Sequence, residues 1–174
     1  PATVHYDGPT ALKAGNGYQW VSNANVAAAW NKDLAYKQGI AIGNEALQHD
    51  AQGWYAPGLN LHRTPFGGRN FEYYGEDGTQ VGKIAAEVVK GFQSKGIVAY
   101  IKHFAVNNQD SYRGNSRNQG EEEAGLLTYL TEQDMRQNYF KAFQICIEEG
   151  CANGMMVSMN CIGNVGTINN YQLC

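Results

Sequence analysis

The sequence feature that most constrains the fold lies in residues 77–101, where an amphipathic segment runs directly into a short apolar run. Apolar residues recur at helical spacing in the first part, at Val81, Ile84, Ala85, Val88 and Phe92. Asp77 is suited to cap this helix and Gly96 to end it. The apolar run at 97–101 is typical of a parallel strand buried on both faces. A helix followed at once by a buried strand indicates an α/β protein.

The same alternation occurs on both sides of this pair. Residues 26–47 predict a helix packed on one side through Trp30, Leu34, Ile40 and Ile42, although Gly39 and Gly43 weaken the pattern. Residues 53–59 predict a short strand.

A third helix is predicted from Thr131 to about Gly150, and the strand 155–157 follows it. Its expected inner stripe is Met135, Tyr139, Ala142, Phe143 and Cys146. The order strand, helix, strand, helix, strand favours right-handed β-α-β units and a parallel sheet. The pattern alone leaves an open sheet and a closed barrel as alternatives.

Polar or charged residues follow all three predicted strands. Arg69 lies in the loop after the first strand, Lys102 and His103 end the second, and Met159 and Asn160 end the third. Functional groups of parallel α/β folds gather at these carboxyl ends. A lysine at the end of a buried strand is costly to desolvate without partners, so Lys102 indicates a polar cavity.

The loop at residues 54–78 crowds arginines, carboxylates, aromatic rings and glycines together, which is typical of a binding loop. An alternative remains open at this point. Arg69, Glu72 and Glu76 could form a purely structural ion-pair network on a helical turn, with the two glutamates on one face.

Charge and motifs exclude several functions. The net charge of -3, without a clustered basic face, argues against nucleic-acid binding. No apolar run is long enough to span a bilayer, and no signal-peptide pattern begins the sequence, so we expect a soluble protein, either cytoplasmic or secreted. Motifs for dinucleotides, phosphate loops and the serine nucleophile elbow are absent, so no cofactor is expected.

The remaining metal-type and charged residues favour structural roles. The four histidines do not have the spacing of a metal site. Four cysteines lie at Cys146, Cys151, Cys161 and Cys174, and we interpret them as packing residues or as one incidental disulfide. The glutamates at 121–123 are interpreted as solvated surface.

Three segments resemble the amino-terminal barrel domain of family 3 glycoside hydrolases. They read Y-D-G-P-T-A-L at 6–12, A-P-G-L-N-L-H-R-T-P-F-G-G-R-N-F-E-Y-Y-G-E-D at 56–77 and A-Y-I-K-H-F-A-V-N-N-Q at 99–109. Residues 156–163 resemble a further family segment. The resemblance implies a (β/α)8 TIM-barrel-like fold in which residues 1–174 form one partial domain. Since a complete barrel takes about 250 residues, we expect the barrel to be truncated at both ends.

The resemblance also implies a set of substrate-binding residues for the innermost sugar: Asp7, Arg69, Lys102, His103, Arg113 and Met159. Asp7 is implied to accept hydrogen bonds from sugar hydroxyls, and the cationic residues and His103 to hold the other hydroxyls. Met159 stands where the family commonly has an aromatic residue, which weakens the expected contact there. Supporting roles are implied for Arg63, Glu72, Glu76 and Asp77.

The function implied is that of a retaining, exo-acting β-glucosidase that removes terminal β-linked glucose from oligosaccharides or glucosides. Such enzymes need two catalytic carboxyl groups. In the family both come from later polypeptide, so we expect no catalytic residue within this chain and no activity from it alone. Its expected partners are the substrate and the rest of the same enzyme, including a following domain. The alternatives are a β-xylosidase or another exo-glycosidase of the family, or a non-catalytic sugar-binding fragment.

Overall fold

The computed structural model describes residues 3–111, 113 and 126–173. The described strands, in chain order, are β1 (His5–Asp7), β2 (Gly53–Tyr55), β3 (Val98–Phe104), β4 (Leu127–Thr128), β5 (Gly154–Val157), β6 (Cys161–Ile162) and β7 (Val165–Gly166). The described α-helices are α1 (Asn23–Ala28), α2 (Lys32–Gln48), α3 (Gly78–Gln93), α4 (Glu132–Asp134) and α5 (Lys141–Glu148). The predicted glutamate surface at 121–123 and Cys174 lie outside the described residues.

The main sheet is parallel, with the order β1-β2-β3-β5. His5 pairs with Gly53, Gly53 with Val98, and Tyr100 with Gly154. The chain is therefore an α/β unit with a parallel sheet, as the alternating pattern predicts. A small second sheet joins β4 to β6 in parallel and β6 to β7 antiparallel.

Two predicted helix starts are confirmed by their capping hydrogen bonds. The Asp77 side chain accepts from the backbone N–H of Gln80 at the start of α3. The Thr131 hydroxyl accepts from the N–H of Asp134 at the start of α4. In both cases a short polar side chain satisfies a donor that has no partner within the helix.

The first predicted helix is in fact two helices with a different buried face. The chain breaks between α1 and α2, where Trp30 adopts a φ of 48° and Asn31 caps the second helix. Trp30 and Leu34, predicted to pack inward, are exposed. The buried face of α2 consists mainly of small residues: Ala35, Gln38, Gly39, Ile42, Gly43, Glu45 and Ala46. A stripe of small side chains carries a weak apolar signal, which is why the sequence misplaced the face.

The third predicted helix is also interrupted. A π-helical segment at Met135–Tyr139 separates α4 from α5. Its wider turns shift the helical register, so the predicted inner stripe is only partly correct. Ala142, Phe143 and Cys146 are buried, whereas Met135 and Tyr139 are half-buried.

The expectation that the strands are buried on both faces is wrong for the described residues. Ala99 and Ile101 of β3 face the core, but Tyr100 between them is half-buried. Its ring packs against His5 of β1 and Tyr55 of β2, with centroids 5.3 Å away in each case. In β5, Met155 is exposed. One face of the sheet is therefore covered by helices, and the other carries half-buried rings.

The core lies between the sheet and the helices α2, α3 and α5. The Trp54 ring contacts Phe92 of α3 with centroids 4.7 Å apart, and its indole N–H donates to the Gly8 carbonyl. Cys146 is buried in this core as a free thiol, and Cys151 and Cys161 are also free. Within the described residues, no helix is long and apolar enough to cross a membrane.

Two glycines allow α2 and α3 to approach closely. A Cβ atom at Gly39 would collide with the backbone of Val88 and Phe92, and one at Gly91 would collide with the backbone of Tyr36 and Ile40. Gly39, one of the two glycines that weaken the predicted helix pattern, is therefore required by the packing between helices.

We expect Gly39→Ala to lower the free energy of unfolding by about 1–3 kcal/mol, because overpacking at backbone contacts outweighs the gain in helix propensity of about 1 kcal/mol. The matched control is Gly166→Ala, where φ is -60° and a Cβ would meet only the Asn169 side chain, at an ordinary contact distance of 4.0 Å. Urea denaturation of the full-length protein, followed by tryptophan fluorescence, measures both variants. Equal midpoints for Gly39→Ala and the unsubstituted protein would contradict the packing argument.

Candidate functional site

The centre of the candidate site is the ammonium group of Lys102 near the carboxyl end of β3. Its side chain is only 2% exposed, and Nζ lies 2.5 Å from Oδ1 of Asp7, the last residue of β1. A second carboxylate, Oε2 of Glu72, lies 3.7 Å from the same nitrogen. Strand alignment explains the first contact, because parallel strands end at the same edge of the sheet.

An irregularity in β3 accompanies this placement. The register between β3 and β5 shifts between Ile101 and Phe104. Bulged strands re-aim their side chains, which alternate between faces in regular strands. Lys102 and His103 are consecutive, yet both are buried against the loop that follows β2. Both therefore reach one cluster of polar groups.

The loop after β2 supplies the second cation of the site. Arg69 precedes a 3-10 turn at Asn70–Glu72, and its Nε donates to Oε1 of Glu72. Glu72 is 1% exposed, so one buried carboxylate bridges Arg69 and Lys102. Burial acts to lower the pKa of Arg69, but its neighbours, with the charge and hydrogen bond of Glu72 foremost, together raise it by more, and the guanidinium stays charged.

Asp110 extends the network to Arg113. One of its oxygens lies 3.5 Å from the guanidinium of Arg69 and 2.9 Å from that of Arg113. The backbone N–H of Asp110 donates to the Gly67 carbonyl, which holds this segment against the β2 loop. The ion pair between Arg69 and Glu72 that the structural alternative predicts is therefore present. The same ion pairs also hold two arginines beside Lys102.

Asp7 is kept ionised by its neighbours. Burial acts to raise its pKa, but the hydrogen bond and charge of Lys102, the Gly8 N–H and the charge of Lys13 lower it by more. The net pKa lies below the ordinary value. The carboxylate is also partly exposed, with 41% of its side chain accessible. Asp7 is therefore an anionic acceptor at the surface of the cluster.

His103 is buried beside these cations and contacts Asn60 and Tyr73. Its Nδ1 lies 3.1 Å from Asn60 Oδ1 and 3.4 Å from the Tyr73 hydroxyl. Burial, followed by the charges of Arg69, Lys102 and Arg113, lowers the pKa of His103 to about 2. The imidazole is therefore neutral. Burial raises the pKa of Tyr73, which stays a phenol.

Met159 and Asn160 differ in their placement after β5. Met159 is 73% exposed, whereas Asn160 is buried and donates from Nδ2 to the Ala105 carbonyl. Ser158 donates to the same carbonyl. Asn160 thus fixes the turn that follows β3, and Met159 lies at an exposed position next to it.

Five of the six residues implied to bind substrate lie in one connected cluster: Asp7, Arg69, Lys102, His103 and Arg113. Asn60, Tyr73 and Asp110 were not assigned from the sequence. Asp110 had a usable signal, since it precedes Arg113 by three residues. Asn60 and Tyr73 lie within the loop segment that resembles the family, but nothing in their local pattern distinguishes them.

The other implied supporting residues lie apart from this cluster. Asp77 caps α3, and Arg63 lies 5.4 Å from the centroid of the Tyr139 ring. Glu76 is exposed. Glu72 and Glu76 share a spacing of four residues, but the chain leaves the 3-10 turn after Glu72, so they do not share a helix face.

The cluster combines anionic acceptors, three cationic donors and a neutral imidazole within a small region. Such a set can orient a neutral ligand that offers several hydroxyl groups, each of which both donates and accepts. Among the described residues, no group of histidine, cysteine, aspartate and glutamate has the arrangement of a metal site.

We expect Glu72→Gln to destabilise the protein by about 1–3 kcal/mol, because it removes the buried carboxylate that Lys102 and Arg69 share, while Asp7 and Asp110 remain as their other counter-ions. The exposed Glu76→Gln is the matched control and should change stability by less than about 0.5 kcal/mol. Thermal denaturation of the full-length protein compares them. Equal midpoints for the two variants would show that Glu72 does not hold the site together.

Comparison with known proteins agrees with this architecture. A family model for the glycosyl hydrolase family 3 N terminal domain matches residues 9–165. The chain is 37% identical over 148 residues to beta-glucosidase A of Butyrivibrio fibrisolvens, covering 85% of this chain and 17% of that protein. It is 34% identical over 150 residues to an exo-alpha-(1->6)-L-arabinopyranosidase of Bifidobacterium breve, covering 86% of this chain and 18% of that protein.

A solved structure shares the fold. Beta-glucosidase 3B of Thermotoga neapolitana, in complex with glucose, superposes with a TM-score of 0.88 at 32% identity, covering 99% of this chain and 24% of that one. The chain therefore spans between about a sixth and a quarter of the length of these relatives. Its fold is that of the corresponding TIM-barrel-like region. The chain belongs to glycosyl hydrolase family 3, within the N-terminal domain of that family.

Proposed function

We propose that residues 1–174 form part of the amino-terminal (β/α)8 barrel domain of a retaining, exo-acting β-glucosidase. The observation that carries the proposal is the buried Lys102 paired with Asp7 at the ends of two neighbouring strands. Two of the three similar proteins named above are β-glucosidases, and the solved structure of one of them is a complex with glucose.

The sheet geometry supports a barrel. β1, β2, β3 and β5 are parallel and follow one another in chain order, each separated from the next by helical segments. A closed barrel of this type repeats the same unit around a ring of eight strands. These four strands would then form a contiguous half of the ring. The half-buried face of the sheet, with Tyr100 and Tyr55, would turn toward the interior of the barrel.

In this proposal the cluster forms the innermost sugar subsite. Asp7 accepts hydrogen bonds from hydroxyl groups of the terminal sugar, and Arg69 and Lys102 donate to others. Arg113, held by Asp110, completes the set of donors, and Met159 lies at the rim. Charged partners strengthen hydrogen bonds to neutral hydroxyls and fix their direction. Rates rise when such contacts are stronger in the transition state than in the ground state.

The catalytic carboxyl groups are proposed to come from outside residues 1–174. A retaining mechanism needs a nucleophile and an acid/base about 5 to 5.5 Å apart. Asp7, Glu72 and Asp110 each form ion pairs with lysine or arginine. Such pairing suits ligand holding and support, and the lowered pKa of Asp7 opposes proton donation. Residues 1–174 alone are therefore expected not to hydrolyse glycosides.

A second candidate function differs in the terminal sugar that the enzyme would release. The similarity to an exo-alpha-(1->6)-L-arabinopyranosidase favours a pentopyranosidase as the second candidate, a class that includes β-xylosidases. A protein that only binds sugar is the non-catalytic alternative. Rates on aryl β-glucoside, aryl β-xyloside and aryl α-L-arabinopyranoside distinguish these possibilities.

We expect Asp7→Asn in the full-length protein to lower kcat/KM on an aryl β-glucoside by about 100-fold. Loss of a charged hydrogen-bond partner costs about 1.5–3 kcal/mol, and each 1.36 kcal/mol is a factor of ten in rate. Steady-state kinetics measures the effect. Asn keeps the shape of the side chain but removes the charge that faces Lys102, so thermal denaturation must first show that the variant is folded at the assay temperature.

The control is Asp33→Asn, which makes the same change at an exposed carboxylate in the first turn of α2. It should leave kcat/KM within about twofold of the unsubstituted protein. Near-normal activity of Asp7→Asn would refute the role of Asp7. Glucose binding without turnover of any aryl glycoside would favour the non-catalytic alternative.

A further inference from the structure

The amide of Asn60 has only one orientation that satisfies its contacts with His103. Its Nδ2 lies 3.0 Å from the backbone carbonyl oxygen of His103, which only accepts. Its Oδ1 therefore faces the backbone N–H of His103 at 2.9 Å and the ring Nδ1 at 3.1 Å. The reversed amide would place donor against donor and acceptor against acceptor. Asn60 thus presents an acceptor to Nδ1.

Tyr73 presents a second acceptor to the same nitrogen. Its hydroxyl lies 3.3 Å from the Asn107 carbonyl oxygen, to which it donates its hydrogen. The lone pairs of the Tyr73 oxygen remain for Nδ1 of His103, 3.4 Å away. Since both neighbours of Nδ1 accept, Nδ1 must carry a hydrogen.

The ring carries no second hydrogen because it is buried among cations. The charges of Arg69, Lys102 and Arg113 oppose protonation and outweigh the charge of Asp7, which favours it, while Tyr73 is uncharged. Because the pKa of His103 is about 2, the ring carries a single nitrogen-bound hydrogen at neutral pH, and this hydrogen is on Nδ1. Nε2 then has a free lone pair, and it forms no hydrogen bond with the described part of the chain.

We propose that Asn60 and Tyr73 are positioning residues that hold His103 in the Nδ1–H tautomer, so that the substrate contact implied for His103 by the resemblance is a hydrogen bond from a sugar hydroxyl to Nε2. The identity of the ligand as a sugar rests on the proposed function, whereas the tautomer rests on the contacts alone. His103 thereby joins Asp7 as an acceptor in a cluster otherwise rich in cationic donors.

The consequence is a specific requirement on the ligand. A hydroxyl that meets Nε2 must donate, so fluorine cannot replace it, because fluorine has no hydrogen to give. A hydroxyl that only receives from Arg69 or Lys102 tolerates fluorine better than deletion. The cluster therefore selects hydroxyl groups by the direction of their hydrogen bonds.

The tautomer is tested without any ligand by 15N NMR of the full-length protein with labelled histidine. The signal lost in the His103→Gln variant should show a protonated Nδ1 and a bare Nε2, unchanged from pH 5 to 8. A protonated Nε2, or a ring that titrates in this range, would overturn the proposal.

Asn60→Asp tests the positioning role. A carboxylate beside Nδ1 favours the imidazolium, so the pKa of His103 should rise and its signal should become more sensitive to acid. The exposed Asn25→Asp is the matched control and should leave the signal unchanged. Tyr73→Phe leaves the Asn60 acceptor in place and should keep the Nδ1–H tautomer even if Asn60→Asp fails to fold. Loss of that tautomer in Tyr73→Phe would contradict the role of Asn60.

The ligand part is tested by calorimetric binding of glucose and of its deoxy and deoxyfluoro analogues. At the hydroxyl that meets His103, the fluoro analogue should bind as weakly as the deoxy analogue, and the His103→Ala variant should remove that penalty, whereas the penalty at the hydroxyl that meets Asp7 should persist in this variant. If His103→Ala removes no fluorine penalty, the acceptor role is wrong. If glucose itself does not bind, the proposed function fails, while the NMR result stands separately.

Discussion

The site depends on one buried charge, the ammonium group of Lys102. An unpaired ammonium at this depth would cost several kcal/mol, so the surrounding fold must supply anions. Asp7 lies at the end of β1, which is separated from β3 by β2 in the sheet, and Glu72 lies in the loop after β2. The lysine therefore ties together three segments that are far apart in the sequence.

Glu72 links the buried ammonium group of Lys102 to the two arginines. The same buried carboxylate pairs with Arg69, which approaches Asp110 and, through it, Arg113. The concentration of positive charge in turn keeps His103 neutral. Its protonated nitrogen is turned toward Asn60 and Tyr73, which leaves the other nitrogen for a ligand. Charge pairing and hydrogen-bond direction thus arrange the cluster without a ligand.

The sequence predicts the order of elements well, because apolar periodicity and capping residues are local signals. Asp77 and Thr131 cap helices where the pattern places them. The buried face of α2 was predicted wrongly because it is built mainly from glycine and alanine. These residues make close backbone contacts but give no apolar pattern in the sequence. The strand β1 was not predicted from its local pattern, since three half-buried residues show no clear alternation.

The residues of the site were predicted from the resemblance of three motifs, which implies that Asp7, Arg69 and Lys102 bind the same sugar. Local spacing could not show that Glu72 is buried while Glu76 is exposed, because that depends on where the 3-10 turn ends. It also could not reveal Asn60, whose role depends on contacts with a residue 43 positions away. Such long-range pairing is set by the sheet and not by neighbours in the chain.

The most direct measurement is a crystal structure of the full-length protein after reaction with an activated 2-deoxy-2-fluoro-β-glucoside, which traps a glycosyl-enzyme intermediate. The account predicts a sugar bonded to a carboxylate outside residues 1–174, with its hydroxyl groups contacting Asp7, Arg69, Lys102 and Nε2 of His103. A sugar bonded to Asp7 or Glu72, or one held away from Lys102, would contradict it.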